Sequence, residues 1–160
     1  MKWNDRLYRL QFIIRYSNIP RVRDENVAQH SFFVASICLE LMEQLPGVNR
    51  ENVLTMALVH DWAEADIDDI AHNIKRDYPK VREALKEAEV EAMRIYPESI
   101  FNAFIDYEEG TSTEAMVVKL ADSIQCVQYL EHEVALGNKF MEPLLIESNN
   151  YVSILSNKLV

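Results

Sequence analysis

The chain has 160 residues, with 26 acidic and 16 basic side chains, a formal net charge of −10 and a hydrophobic fraction of 49%. A surface that acidic repels a nucleic-acid backbone and an anionic bilayer, so neither is an expected partner; a small anion could still enter a cleft whose local field is reversed by a metal and a few cations. The hydrophobic fraction excludes disorder as the default, the length suits a single domain over residues 1–160, and three Gly with five Pro leave little material for hairpins.

From Trp3 to Tyr16, apolar residues at Leu7, Leu10, Ile13 and Ile14 have helical spacing, and the segment stops near Ser17-Asn18-Ile19-Pro20. Lys2, Asp5, Arg6 and Arg9 exclude a signal-peptide core here. Asn26 or the residues after it open a second helix, apolar from Phe32 to Leu45 and ended by Pro46-Gly47. Its longest apolar stretch, Ser31 to Leu39, falls far short of a membrane span of about 20 residues. Asn49 caps a third helix, with Val53, Leu54, Ala57 and Leu58 expected inward, leading to His60-Asp61. Asp66 to Lys75 reads as polar and irregular.

Pro79 to Tyr96 is helical and charged, with Glu83, Glu87 and Glu91 at four-residue spacing, and a further helix follows Pro97. Gly110-Thr111-Ser112 makes the next break. Glu114 to Leu136 is one long helix stopped by Gly137-Asn138, and Phe140 to Leu159 forms the last. No run alternates with period two, so an all-α helical bundle is expected. Cys38 and Cys126 lie in apolar helical patterns, as two free thiols of a reducing cytoplasm would.

His60-Asp61 follows Met56-Ala57-Leu58-Val59 at the end of a core-facing helix. Alone, an HD dipeptide is a helix end and its cap; its company changes the reading. His30 begins an apolar helix, and Asp122 interrupts Val117-Val118-Lys119-Leu120-Ala121. An unpaired buried aspartate costs several kcal/mol, so it needs a cation or strong donors. Two imidazoles and two carboxylates can satisfy one another through one divalent ion, their two negative charges balancing it. Mixed nitrogen and oxygen ligation suits Mn, Fe, Co, Ni or Zn, with Mg also kept open, and four protein ligands leave positions for water and substrate. Glu64, one turn beyond the pair, is a carboxylate placed to work beside that water. The di-iron bundle alternative requires Glu-x-x-His pairs, which the sequence lacks, and His132-Glu133 fails the zinc-protease pattern because residue 136 is Leu.

The order His30, His60-Asp61, Asp122 resembles the H…HD…D signature of the HD-domain phosphohydrolases. Arg15-Tyr16 and Arg23-Asp24-Glu25-Asn26-Val27-Ala28-Gln29-His30-Ser31 resemble the R-W…R-x-E-N-V-x-x-H-S stretch of the bacterial 5′-deoxynucleotidases. His60-Asp61-Trp62-Ala63-Glu64 with Asp69 and Lys75 resembles their H-D-x-x-E-x-x-x-G-D…K segment, and Lys119-Leu120-Ala121-Asp122 with Leu136-Gly137-Asn138 their last ligand helix. The likeness spans about Arg15 to Asn138.

The resemblance implies an all-helical cytoplasmic enzyme, a homodimer or higher homo-oligomer, that removes phosphate from 2′-deoxynucleoside 5′-monophosphates. Relatives, phage enzymes among them, instead release triphosphate from dNTPs, and a nucleotide-binding protein without turnover is the third possibility. By position, His30, His60, Asp61 and Asp122 would hold one divalent metal, Glu64 would hold or activate the attacking water, and Asp69 would take part in proton transfer. Arg15 and Lys75 would contact phosphate, and Tyr16 would pack on the sugar. Asp68 stands where these enzymes have Gly, and Ile70-Ala71-His72-Asn73-Ile74 replaces a proline-rich loop. His72 and His132 match nothing in the pattern and are expected on the surface.

Overall fold

The computed structural model describes residues 3–159. Among them the regular elements are helical: α1 (Trp3–Leu7) running into a 3-10 turn (Tyr8–Phe12), α2 (Val27–Met42), α3 (Arg50–Val59), α4 (Glu64–Ile67) and α5 (His72–Asp77). They continue with α6 (Pro79–Met93), α7 (Glu98–Glu109), α8 (Thr113–Ala135), a 3-10 turn (Lys139–Met141) and α9 (Glu142–Leu159). None of these helices is long and apolar enough to cross a membrane.

The largest core lies among α2, α3, α7 and α8. Val34, Cys38 and Met42 meet Val53, Met56 and Ala57, with Tyr107, Val117, Val118 and Ala121 closing the other side. A second cluster of Val59, Ala63, Met93, Tyr96 and Phe104 seats α6 and α7 beneath the end of α3. Burial of these side chains stabilises each by about 1.5–3 kcal/mol, and that holds the ends of α3 and α2 against the middle of α8.

Local chemistry sets where the helices begin. Asn26 closes a capping box: its side chain accepts from the Gln29 N–H at 2.8 Å, while Gln29 accepts from the Asn26 N–H at 3.1 Å. This fixes the first turn of α2, on which His30 sits. Asn49 caps α3 through the Asn52 N–H and Ser112 caps α8 through the Ala115 N–H. Glu83, Glu87 and Glu91 face solvent on α6, and His72 and His132 are exposed.

Four segments differ from the expectation. The helix expected over Trp3–Tyr16 tightens after Leu7 and stops at Phe12; Ile13 is extended and Ile14 bridges Asn26. The Val27 N–H donates to the Ile13 carbonyl at 3.0 Å and the Arg15 N–H to the Glu25 carbonyl at 2.9 Å, so pairing outside the helix replaces helical bonds. Leu10 still reaches the interior, against Val27 and Ala65. Asp66–Lys75 is less irregular than its polarity suggested, since it contains the end of α4 and most of α5. The α6 helix ends at Met93 rather than Tyr96. Leu58, expected inward, is 49% exposed, because it projects away from the face carrying Val53, Met56 and Ala57.

Fully buried Glu133, near the end of α8, ties down the segment before α2. Its carboxylate accepts from the Val22 and Arg23 N–H groups, both at 2.8 Å, and from the Asn138 side chain at 2.7 Å. Glu133→Ala strands two backbone donors and an amide, and is expected to lower stability by about 3 kcal/mol, read from the urea midpoint.

Candidate metal centre

His60 caps the C-terminal end of α3, and its Nδ1–H donates to the Ala57 carbonyl at 2.9 Å. That bond fixes the ring with Nε2 pointing away from its own helix, 3.3 Å from the Nε2 of His30. The Asp61 carboxylate lies 3.2 Å from His60 Nε2 and 3.4 Å from His30 Nε2. Asp122, in the middle of α8, brings one oxygen to 3.2 Å from His30 Nε2, and its other oxygen accepts from the Tyr107 hydroxyl at 3.2 Å. One donor atom from each of His30, His60 and Asp122 lies within 4.8 Å of the others, and Asp61 reaches both imidazoles.

The donor set fits a divalent cation. The His30 and His60 nitrogens and the Asp122 carboxylate come within reach of one ion, each with its far side held by another group, and the Asp61 carboxylate lies beside both imidazoles. Burial works against charging His60, but Asp61 and then Asp122 outweigh it and push the imidazole up to about 9. Burial likewise opposes ionising Asp61, yet His60 and His30 bring it down to about 2. Asp122 is held well below the usual carboxylate range because His30, His60 and Arg15 overcome its burial. In the metal-free protein, protons therefore do part of the charge balancing that a cation would do.

Glu64 is one turn past Asp61, its N–H bonded to the Asp61 carbonyl at 3.1 Å. Its Oε2 is buried without a hydrogen-bond partner among the described residues. Burial, reinforced by Asp61 and Asp69, pushes this carboxyl well above its usual range, the condition of a group ready to accept or return a proton. Burial also raises Asp69, with Arg15 pulling the other way. Before it, Asp68 adopts φ 71° and ψ 166°, a region open at low cost only to glycine, and its side chain accepts the Asp69 N–H at 2.9 Å. The glycine-type turn is thus kept with an aspartate in it.

A cavity of about 1100 Å³ opens from these groups toward α5, α6 and α9. Arg15, Tyr16, Asp69 and Lys75, all singled out in the sequence, line it. The Tyr16 ring stacks on Tyr129 at 5.1 Å and 4°, with the Arg15 guanidinium 5.3 Å from its centre. Lys75 lies 3.4 Å from Glu89; burial lowers its pKa, but Glu89 and Glu64 raise it further, so it stays charged. Arg15 is largely enclosed, donating to Glu25 at 2.9 Å, Gln125 at 3.1 Å and the Cys126 sulfur at 3.3 Å.

All nine residues expected at the site are therefore brought to one region: His30 against the other three donors, and the remaining eight in the cavity wall. Sequence reasoning missed the residues behind them. Tyr107 left no signal, since only packing of α7 on α8 brings it to Asp122. Gln125 is one turn beyond Asp122, and that spacing could have marked it. The two cysteines are unpaired, Cys38 in the core and Cys126 in the cavity wall.

The HD domain family model matches residues 7–149. A 5′-deoxynucleotidase of Vibrio vulnificus is 30% identical, the alignment covering 88% of this chain and 82% of that protein. A protein of Pyrococcus horikoshii with a crystal structure is 25% identical with a TM-score of 0.83, over 95% of this chain and 88% of that one. An HD phosphohydrolase of cyanophage S-2L, solved with dA and one catalytic Zn²⁺ ion, shares the fold at 18% identity and a TM-score of 0.65, over 97% of this chain and 95% of its own. With a family match over most of its length and this set of donors at its centre, the chain belongs to the HD-domain family of metal-dependent hydrolases acting on phosphoester bonds.

Proposed function

We propose that the protein removes phosphate from 2′-deoxynucleoside 5′-monophosphates, with one divalent cation held by His30, His60, Asp61 and Asp122. The observation that carries the reading is the buried Glu64 Oε2, without a hydrogen-bond partner among the described residues, one turn from Asp61 and the His30, His60 and Asp122 cluster. Such a cation supplies Lewis acidity toward the phosphoryl group and acidifies water. Glu64 takes the proton of the attacking water, and Asp69, in the same cavity wall, returns a proton to the leaving 5′ oxygen. Arg15 and Lys75 hold the phosphate, the planar guanidinium offering paired donors. Tyr16, braced by Tyr129, packs against the sugar. The 5′-deoxynucleotidase name of the Vibrio vulnificus relative and the dA in the cyanophage enzyme support a deoxynucleoside substrate.

The alternative, release of triphosphate from a dNTP, draws support from Arg76, Arg82 and Lys86 in the cavity wall beyond Lys75. Three of the four cations face acids of the same wall: Lys75 with Glu89 at 3.4 Å, Lys86 with Glu108 at 3.8 Å and Arg76 with Glu147 at 3.9 Å. A wall already neutralised in this way favours the monophosphate. A binding protein without turnover has no use for a carboxyl such as Glu64, raised and aimed into a cavity.

With Mn²⁺ or Co²⁺, the protein is expected to release inorganic phosphate from dNMPs in preference to NMPs, and Glu64→Gln to lower kcat about 100-fold or more. Product chromatography checks both points; triphosphate as the product would transfer the assignment to the alternative, and no product from any deoxynucleotide would sink both.

His60 carries a proton at neutral pH where the cation would sit, because its pKa is about 9. Binding should expel about one proton, so Mn²⁺ affinity rises about tenfold per pH unit from neutrality and levels off above about pH 9. Titration calorimetry in buffers of differing ionisation enthalpy measures both the slope and the proton count.

We also propose a cytoplasmic homo-oligomer. Tyr8, Phe12, Phe32 and Phe33 are each 49–69% exposed, large apolar side chains that a second copy could cover. Light scattering behind size exclusion is expected to give at least twice the chain mass, and a concentration-independent monomer would overturn this.

A further inference from the structure

We propose that Gln125 is a positioning residue which, held by Glu25, sets the tautomer of His30 and thereby the strength of the metal centre; the proposal rests on the reading of His30 as a metal ligand.

His30, Gln125 and Glu25 are all buried and form a chain leading from the centre to the segment before α2. The Gln125 Oε1 lies 2.6 Å from His30 Nδ1, and its Nε2 donates to a Glu25 oxygen. An amide side chain can present either end to a neighbour, so something must choose. Glu25 chooses, because a carboxylate only accepts and the amide must turn its NH₂ toward it. Arg15 enforces the same choice from the other side, its NH1 donating to Glu25 at 2.9 Å and to Gln125 Oε1 at 3.1 Å. These two oxygens can take both NH1 hydrogens.

With Oε1 facing the imidazole, the 2.6 Å contact holds only if Nδ1 carries a proton, since two acceptors at that distance repel. Nε2 is then the nitrogen left to a cation, facing Asp61, Asp122 and His60. The approach of Arg15 NH1 to 2.8 Å from Nδ1 offers a competing arrangement. If Arg15 donated there, the proton would move to Nε2 and block the ligand position. The Gln125–Glu25 pair decides against that. His60 needs no such device, because the Ala57 carbonyl of its own helix performs the task. His30 lies in the first turn of α2, and its ring reaches across to α8 for the equivalent partner.

The test compares Co²⁺ affinity and visible absorption of wild type, Gln125→Leu and Gln125→Glu combined with Glu25→Gln, with long-range ¹H–¹⁵N spectra of the metal-free wild type. Q125L removes the acceptor and is expected to weaken Co²⁺ binding about 10- to 100-fold and to alter the visible bands. Q125E restores an acceptor at the same place and, combined with Glu25→Gln so that an amide still faces a carboxylate, should recover most of the lost affinity. In the spectra, Nδ1 of His30 should carry a proton whether or not Nε2 carries one too. Wild-type Co²⁺ affinity and absorption in folded Q125L, a loss in the E25Q/Q125E double variant equal to that in Q125L, or a His30 ring without a proton on Nδ1 would each overturn the proposal. The spectra of the wild type decide it even if Q125L fails to fold. Failure of the wild type to bind Co²⁺ would instead overturn the metal centre itself.

Discussion

The structure depends on the meeting of His30, His60 and Asp122 between α2, α3 and α8, with Asp61 beside both imidazoles. Four polar groups taken out of water would cost more than a domain's whole margin of stability if each stood alone. They are tolerable because each answers another, and because the surrounding apolar cores fix three helices with little freedom to separate. Val53, Met56 and Ala57 hold α3 against α2 and α8, so the HD pair at its end has one place to go. Core packing and site geometry are one constraint seen from two sides.

The electrostatics around this point are layered. The inner layer is negative: the neighbouring cations and imidazoles hold Asp61 and Asp122 below the usual carboxylate range, while burial, reinforced by Asp61, pushes the Glu64 and Asp69 carboxyls up. Arg15 spans the boundary, pairing with Glu25 behind the centre while its ring of contacts includes Tyr16 and Cys126 on the cavity side. A guanidinium this enclosed keeps its charge, since its acidic neighbours outweigh the cost of burial. Within the negative cavity wall, Arg15 and Lys75 are two of the cations set among its acids.

Most of the helix layout was legible in the sequence, because Asn26, Asn49, Ser112, Gly110 and Gly137 are start and stop signals with a local mechanism. The candidate donors were legible for a related reason: a histidine or aspartate inside an apolar run demands an explanation that a surface residue does not. What stayed hidden depended on partners distant along the chain. Ile13 and Ile14 have helical spacing, but the carbonyl and N–H groups they use belong to Glu25, Asn26 and Val27, and no local pattern announces that. Tyr107 and Glu133 were invisible for the same reason, since an aromatic in an apolar helix reads as core and a glutamate near a helix end reads as surface.

Asp68 shows how far a single departure from a familiar pattern reaches. With Asp where related enzymes have Gly, the backbone could have changed course and carried Asp69 away from the cavity. Instead Asp68 takes up the glycine-type conformation, at a cost of about 1–3 kcal/mol, partly offset by its own side chain accepting the Asp69 N–H. Asp69 stays in the cavity wall as a result. The strain is borne because α4 before the turn is fastened by Ala65 against Leu10 and Val27, leaving the chain no easier route. What the cavity presents next to that acid is set by the loop that follows, with Ile70, His72 and Asn73 among its lining side chains.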